Sequence, residues 1–149
     1  MDQKIEKAQH VLIQVILANT SSAMKISKIL LEHSNRDILS ADDIICGLIY
    51  RLMIPMSDNE IKDSMETAND IMCEESSDGE YSDDNYEIVD DKDDLNIKRE
   101  IKPNQCNCDI CSQVRVCLHN FNDYIPKDEL ADKFKKTIID TCKSHNRII

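Results

Sequence analysis

Apolar residues recur at helical spacing along the first 34 residues of the chain. Because an α-helix turns once in about 3.6 residues, spacings of three and four place such residues on one face. The polar stretch 19–22 leaves open either one long helix or a break near Thr20, and the continuous phase favours one helix over 2–34. The residues on this face are Ile5, Ala8, Leu12 and Val15, followed by Ala23, Ile26, Leu30 and His33. His33 is expected to pack or to face the helix dipole rather than to act as a ligand.

Two more helices are predicted in the N-terminal half. Ser40 is suited to cap the first, because its hydroxyl accepts from unpaired backbone N–H groups, and Asp43 nearly completes a capping box. Apolar residues then recur at every fourth position until Pro55, so the pattern predicts a helix over 41–54. The next helix is predicted over about 57–72.

A last helix is predicted over about 127–144. Its apolar residues, which recur at every fourth position, are Leu130, Phe134, Ile138 and Cys142. The chain has no Trp. It has only two Gly and three Pro, which are too few turn residues for a fold rich in β-sheet. The fold class is therefore predicted to be mainly α.

Negative charge is concentrated in one segment of the chain. The net charge is −11, and residues 74–95 contain eleven Asp or Glu and one Lys, so the remainder is close to neutral. A segment with so many like charges and so few apolar residues cannot offset its ordering entropy. We expect a disordered acidic linker at 74–104 between a helical module at 1–73 and a Cys-rich helical module at 105–149. Phosphate backbones repel such a chain, which therefore should not coat DNA unaided.

The cysteines predict a metal site. Seven Cys without a recognisable secretory signal indicate an intracellular, reducing compartment, where clustered thiols more often hold metal than form disulfides. Cys106, Cys108 and Cys111 place three thiols within six residues, and a tight turn can direct them at one tetrahedral, structural zinc ion. The fourth ligand stays open among four candidates, which are Cys117, His119, Cys142 and His145. The alternative is a set of reduced cysteines in a small helical hairpin.

No pattern in the sequence indicates an enzyme. Two distant glycines cannot build a phosphate-binding loop, and no nucleophile–base pair or paired-carboxylate arrangement is visible. The apolar run at residues 11–18 is too short to span a bilayer. We therefore expect no catalysis, no small-molecule substrate and no membrane partner.

The segment from Arg36 to Leu48 resembles the junction between the second and third helices of histone-fold proteins. The matching residues are Arg36, Ile38, Leu39, Ser40, Asp43, Ile44, Gly47 and Leu48. The resemblance implies a histone-fold-like N-terminal module. In that family a shorter helix and a loop precede the long central helix, and the sequence departs from this pattern, because one helix over 2–34 leaves almost no chain for them. The order of a histone-like segment, an acidic linker and a Cys-rich tail also looks like small proteins of large DNA viruses.

Proteins of that fold form handshake dimers in DNA packaging or transcription assemblies, and this resemblance implies the same role here. The partner would be another histone-fold subunit, in the nucleus, a viral factory or a virion. DNA would be contacted only as part of the complex, nearest to Arg36, Ile38 and Leu39. The predicted dimerisation residues are Leu12, Val15, Ile26, Leu30, Ile44, Leu48 and Leu52. The alternative function is a zinc-stabilised helical adaptor or virion structural protein without DNA contact.

Overall fold

The computed structural model describes residues 2–73 and 97–149, which form five α-helices and one small parallel sheet. The helices are α1 (Asp2–His33), α2 (Ala41–Met53), α3 (Asp58–Cys73), α4 (Asp109–Asn120) and α5 (Glu129–Ser144). The strands are β1 (Arg99–Glu100) and β2 (Arg147–Ile148), and a 3₁₀ turn covers Phe121–Asp123. The prediction of a mainly α fold is confirmed. Most of the predicted acidic linker, residues 74–96, lies outside the described residues.

The first helix is continuous, as the phase of its apolar residues predicts. Its polar middle stays helical because side chains there donate hydrogen bonds to carbonyl oxygens of the preceding turn. Asn19 Nδ2 lies 2.9 Å from the Val15 carbonyl oxygen, and Thr20 Oγ1 lies 2.9 Å from that of Ile16. Within the described residues α1 is the first helix, so the shorter helix that precedes the long one in histone-fold proteins has no counterpart there.

The turn between α1 and α2 is held by the predicted cap. The Ser40 hydroxyl accepts from the Asp43 N–H at 3.2 Å, and the Asp43 carboxylate accepts from the Ser40 N–H at 3.0 Å, which completes the capping box. Arg36 Nη2 lies 2.6 Å from Asp43 Oδ1. These contacts turn the chain back so that α2 packs along the second half of α1.

Gly47 allows α2 to approach α1 closely. A Cβ atom at this position would lie 2.3 Å from Ser27 Oγ and 2.5 Å from the Ala23 carbonyl oxygen. Both distances are shorter than van der Waals contact, so only a residue without a side chain fits.

One apolar core joins the two predicted modules. Its buried residues before the acidic segment are Ile26, Leu30, Ile45, Cys46, Ile49 and Tyr50. Its buried residues after that segment are Ile101, Cys111, Val114, Cys117, Phe121, Ile138 and Cys142. The second part of the chain therefore covers apolar faces of α1 and α2 that were predicted to need another subunit.

The predicted dimerisation residues consequently have different environments. Ile26 and Leu30 are buried within this chain, and Leu48 and Leu52 pack against its core, so the expectation that only a partner can cover them is wrong. The physical reason is that α2 and α3 pack against α1, while α4 and α5 pack against α2, so helices of the same chain cover these faces. Two others, Val15 and Ile44, are half-buried, and Leu12 is 47% exposed.

The folded second part begins earlier than predicted. Residues 97–104 were assigned to the linker, yet Arg99–Glu100 pairs with Arg147–Ile148 and Ile101 is buried. The Ile101 N–H donates to the Ile148 carbonyl oxygen at 2.9 Å. A two-residue strand is too short to show periodicity in a sequence. Its pairing partner is also distant along the chain, so no local pattern indicates the pair.

Candidate metal centre

Four side chains from distant parts of the chain meet at one end of the core. They are His33, Cys106, Cys108 and Cys111, and their possible ligand atoms all lie within 4.8 Å of one another. His33 Nδ1 lies 3.2 Å from the Cys108 sulfur, 3.4 Å from that of Cys106 and 3.6 Å from that of Cys111. These residues are close enough to hold a metal ion.

Local structure explains how each side chain reaches this place. His33 is the last residue of α1, which places it at the C-terminal end of that helix, next to the loop that carries the thiols. Cys108 is the N-cap of α4, and its sulfur accepts from the Cys111 N–H at 3.4 Å. Cys111 follows in the first turn of α4, and Cys106 precedes the cap in the loop. The Cys-x-Cys-x-x-Cys spacing therefore converges because a helix begins in the middle of it.

The interatomic distances fit a single tetrahedral ion. With zinc–sulfur bonds of about 2.3 Å and zinc–nitrogen bonds of about 2.0–2.1 Å, ligand atoms lie roughly 3.6–3.8 Å apart. The three nitrogen–sulfur distances of 3.2, 3.4 and 3.6 Å are close to that spacing. These three distances are at or slightly below that spacing, and every pair of possible ligand atoms lies within 4.8 Å.

The thiols differ in acidity. The hydrogen bond from the Cys111 N–H lowers the pKa of the Cys108 thiol to about 6, so this sulfur readily becomes a thiolate ligand. Burial raises the pKa of the Cys111 thiol to about 11. A bound cation deprotonates a coordinating thiol outright, so it removes this difference.

Two polar residues hold the loop that carries the thiols. Asn104 Nδ2 lies 3.3 Å from the Cys111 sulfur and 3.1 Å from the Leu30 carbonyl oxygen, which ties the loop to α1. Arg115 Nη1 donates to the carbonyl oxygens of Asn104 at 2.9 Å and of Cys106 at 2.6 Å. Supports of this kind orient metal ligands, and the sequence interpretation missed both residues.

The structure brings together the three predicted thiols but none of the four candidates for the fourth ligand. Cys117 and Cys142 are buried in the apolar core, whereas His119 and His145 are exposed at the ends of α4 and α5. The fourth member of the cluster is His33, which was interpreted as a packed or dipole-facing histidine. That interpretation missed the contact because the residue lies 75 positions before Cys108 and has no motif around it.

The predicted DNA-proximal residues lie next to this end of the molecule. Ile38 is exposed and Leu39 is half-buried. Arg36 makes contacts inside its own turn, since its guanidinium donates to Ser34, to the Ile38 carbonyl oxygen and to Asp43. The hydrogen bond to Asp43 raises the pKa of Arg36. A contact between these residues and DNA stays a prediction.

Two further findings bear on function. Among the described residues, no helix is both long enough and apolar enough to cross a lipid bilayer. Comparison of the chain with protein families, curated proteins and solved structures gave no match.

Proposed function

We propose that this chain is a non-enzymatic helical adaptor or structural protein in which one structural zinc ion joins the N-terminal and C-terminal parts. The observation that carries the proposal is the cluster of His33 with Cys106, Cys108 and Cys111. One ligand ends α1, and the other three surround the start of α4.

The ligand set favours zinc and a structural role. Three thiolates and one imidazole are a common zinc set, and four protein ligands leave no open coordination position for water or substrate. Catalytic zinc sites keep such a position. Ligand atoms within 4.8 Å of one another suit a single ion.

Zinc in this position would act as a cross-link. His33 and Cys108 are 75 residues apart, and the acidic segment lies between them. Because the unfolded chain has no preformed site, the free energy of metal binding adds to the free energy of folding. A chain with few aromatic residues and a modest core gains most from such a cross-link.

Metal content of the full chain tests this proposal. We expect one zinc per chain, measured by elemental analysis after purification under reducing conditions. His33→Ala and Cys108→Ser should each lose most of the zinc, whereas His119→Ala should keep it, because His119 is exposed and outside the cluster. Reduced protein without metal, whose melting temperature does not change with added zinc or chelator, would contradict the proposal.

Histone-fold-like heterodimerisation is the second candidate. It is favoured by the turn between α1 and α2, which lies in the segment that resembles histone-fold proteins. In this turn Ser40 and Asp43 form a capping box, and Arg36 forms an ion pair with Asp43. It is weakened by the burial of Ile26 and Leu30 in the chain's own core. Light scattering of mixtures with basic histone-fold subunits separates the candidates, since a stable one-to-one complex is expected only from the heterodimer.

A further inference from the structure

Two thiols of the metal cluster also have the arrangement of a reactive pair. Cys108 is the N-cap of α4, and Cys111 follows three residues later in the first turn. The Cys108 sulfur accepts a hydrogen bond from the Cys111 N–H at 3.4 Å, so it already lies against the residue that carries the second thiol. Both sulfurs belong to the cluster whose possible ligand atoms lie within 4.8 Å of one another. From this starting point, rotation of the two side chains brings the sulfurs to the disulfide bonding distance of about 2.05 Å.

The two thiols differ in their access from solvent. Cys111 has an exposed fraction of 0%, whereas Cys108 is half-buried and therefore partly open to solvent. A small oxidant reaches Cys108 first, and Cys111 is placed to react with the product in the same chain. Redox-sensing cysteines have this layout, in which an accessible sulfur lies beside a resolving thiol.

Cys106 is the competing partner for Cys108. It precedes α4 in the loop, and Arg115 donates to its carbonyl oxygen at 2.6 Å, which holds its backbone in place. One residue separates Cys106 from Cys108, so a disulfide between them closes a smaller and more strained ring than one between Cys108 and Cys111. The start of the helix therefore favours Cys108 with Cys111.

We propose that Cys108 and Cys111 form an oxidative modification site, at which a hydroperoxide converts the two thiolates to a disulfide and the metal ion is released. This regulation rests on the proposed function, since it acts on the same zinc site. The disulfide removes two of the four ligands and leaves His33 and Cys106, which are too few to hold a structural zinc ion. The link between the end of α1 and the start of α4 is then lost.

The reaction balances with hydrogen peroxide as the oxidant. The Cys108 thiolate attacks one peroxide oxygen, the O–O bond breaks, and the departing hydroxide takes a proton from solvent to become water. The Cys111 thiolate then attacks the sulfur of the Cys108 sulfenic acid, the S–O bond breaks, and a second hydroxide leaves and is protonated to water. Two electrons pass from the two sulfurs to the two peroxide oxygens. A dithiol reductant reverses the oxidation, as expected of a disulfide in a reducing compartment.

The loop that carries the thiols responds to the same change. Asn104 Nδ2 lies 3.3 Å from the Cys111 sulfur and 3.1 Å from the Leu30 carbonyl oxygen, so it ties the thiol to α1. A thiolate accepts a hydrogen bond more strongly than an uncharged disulfide sulfur does, so oxidation weakens this tie as well. The oxidised protein should therefore have the lower melting temperature of the metal-free protein.

Limited oxidation of the zinc-loaded full chain tests the inference. One equivalent of hydrogen peroxide should release the zinc, measured with a chromogenic chelator, and peptide mapping after alkylation should find the Cys108–Cys111 disulfide. Dithiothreitol with added zinc should restore the thiols and the metal. Cys73 is the internal control, because it is exposed and lies outside the cluster. It should be oxidised at least about tenfold more slowly, since the cluster thiols are not there to resolve its sulfenic acid.

The matched variants Cys106→Ser and Cys111→Ser separate disulfide formation from loss of metal. Each variant removes one ligand, so both should lose most of the zinc. Only Cys106→Ser keeps the reactive pair, so hydrogen peroxide should form an intramolecular disulfide in this variant and not in Cys111→Ser. Titration of free thiols together with peptide mapping measures this difference without bound metal.

The outcomes distinguish this inference from the proposed function. Zinc-loaded protein that keeps its metal while Cys73 is oxidised would overturn the inference and leave the structural zinc in place. A disulfide that maps to Cys106, or one that forms equally in Cys111→Ser, would also overturn it. A chain that binds no zinc but forms the Cys108–Cys111 disulfide would contradict the proposed function and still support the modification site.

Discussion

The two halves of α1 have similar residues and opposite environments. From Ala18 to Leu30 one face of the helix is buried, mainly by α2 and α3, whereas residues 2–13 are exposed throughout. At about 1.5 Å per residue, α1 is roughly 48 Å long, and α2, with 13 residues, is roughly 20 Å long. A helix of this length extends past the elements that cover it, so burial depends on position rather than on hydrophobicity.

The covered half of α1 is also held by two specific contacts. Gly47 lets α2 approach Ser27 and Ala23, and His33 lies within 3.2 Å of the Cys108 sulfur at the start of α4. At the boundary between the two parts, Gln14 Nε2 donates a hydrogen bond of 2.6 Å to Asn69 Oδ1 of α3. Substitutions in the two halves should therefore differ in size of effect, with a large loss of stability in the covered half and a small one in the exposed half.

Removal of the metal should have the largest effect. Zinc contributes about 10–16 kcal/mol in isolated zinc-finger peptides, and we expect on the order of 5–10 kcal/mol here because the apolar core supports part of the fold. Addition of a chelator, or His33→Ala, should lower the melting temperature by more than about 10 °C, measured by calorimetry. The same loss in His119→Ala would show that the effect does not come from the cluster.

Truncation of leucines at the two ends of the stripe compares the halves directly. Leu30→Ala should cost about 2–5 kcal/mol, because it leaves a cavity at a position that is 3% exposed. Leu12→Ala should cost less than about 1 kcal/mol in the single chain, since Leu12 is already half in solvent. Urea unfolding of each variant measures both losses. Equal costs would mean that the first half of α1 is as well covered as the second.

Gly47→Ala tests the close approach of α2 to α1. The new Cβ would meet Ser27 Oγ and the Ala23 carbonyl oxygen, so we expect a loss of about 1–3 kcal/mol despite the better helix propensity of alanine. The double variant with Ser27→Ala should recover part of this loss, because the contact with the Ala23 carbonyl remains. A Gly47→Ala protein of unchanged or higher stability would show that the helices separate without cost.

Alkaline pH should lower the stability of the core that covers the second half of α1, because Cys46 of α2 is buried there. Burial raises the pKa of the Cys46 thiol to about 12 from an ordinary value of 9.0. Between these values the unfolded chain loses this proton and the folded chain keeps it, so Cys46 contributes a loss of at most about 1.4 kcal/mol of stability per pH unit as pH rises. Urea unfolding from pH 8 to 11 should show a shallower slope for Cys46→Ala than for the unmodified protein. Cys73→Ala, at an exposed thiol, should leave the slope unchanged.

Much of the secondary structure could be predicted because its causes are local. The apolar spacing predicts α1 as one helix, and Ser40 with Asp43 predicts the start of α2. The third helix was predicted to within one or two residues at each end, and α5 begins at Glu129 because Asp128 accepts from the Ala131 N–H, two residues after the predicted start. Caps and periodicity act over a few residues, which a sequence displays directly.

The fourth member of the metal cluster could not be predicted in the same way. The close spacing of Cys106, Cys108 and Cys111 predicts a metal site. The four candidates for the fourth ligand all lay further along the chain, and His33 was not among them. His33 lies at the end of α1, 75 residues before Cys108, and only the packing of the helices brings the two side chains together. The only sequence signal was a histidine at the end of a long helix, and many histidines at such positions bind nothing.

The sequence by itself determined α1, α2, α3 and α5, the Ser40 cap, the position of the acidic segment and the group of three thiols, since each depends on neighbours within a few residues; α4 and its Cys108 cap were not predicted. Only the tertiary structure decided that both parts share one core, that β1 pairs with β2, and that half of α1 stays uncovered. These features depend on which surfaces meet across long stretches of chain, as Arg99 and Arg147 do in the sheet and as Tyr50 and Gln113 do through a hydrogen bond between residues 63 positions apart. Periodicity shows that a face must be buried, and packing alone decides what buries it.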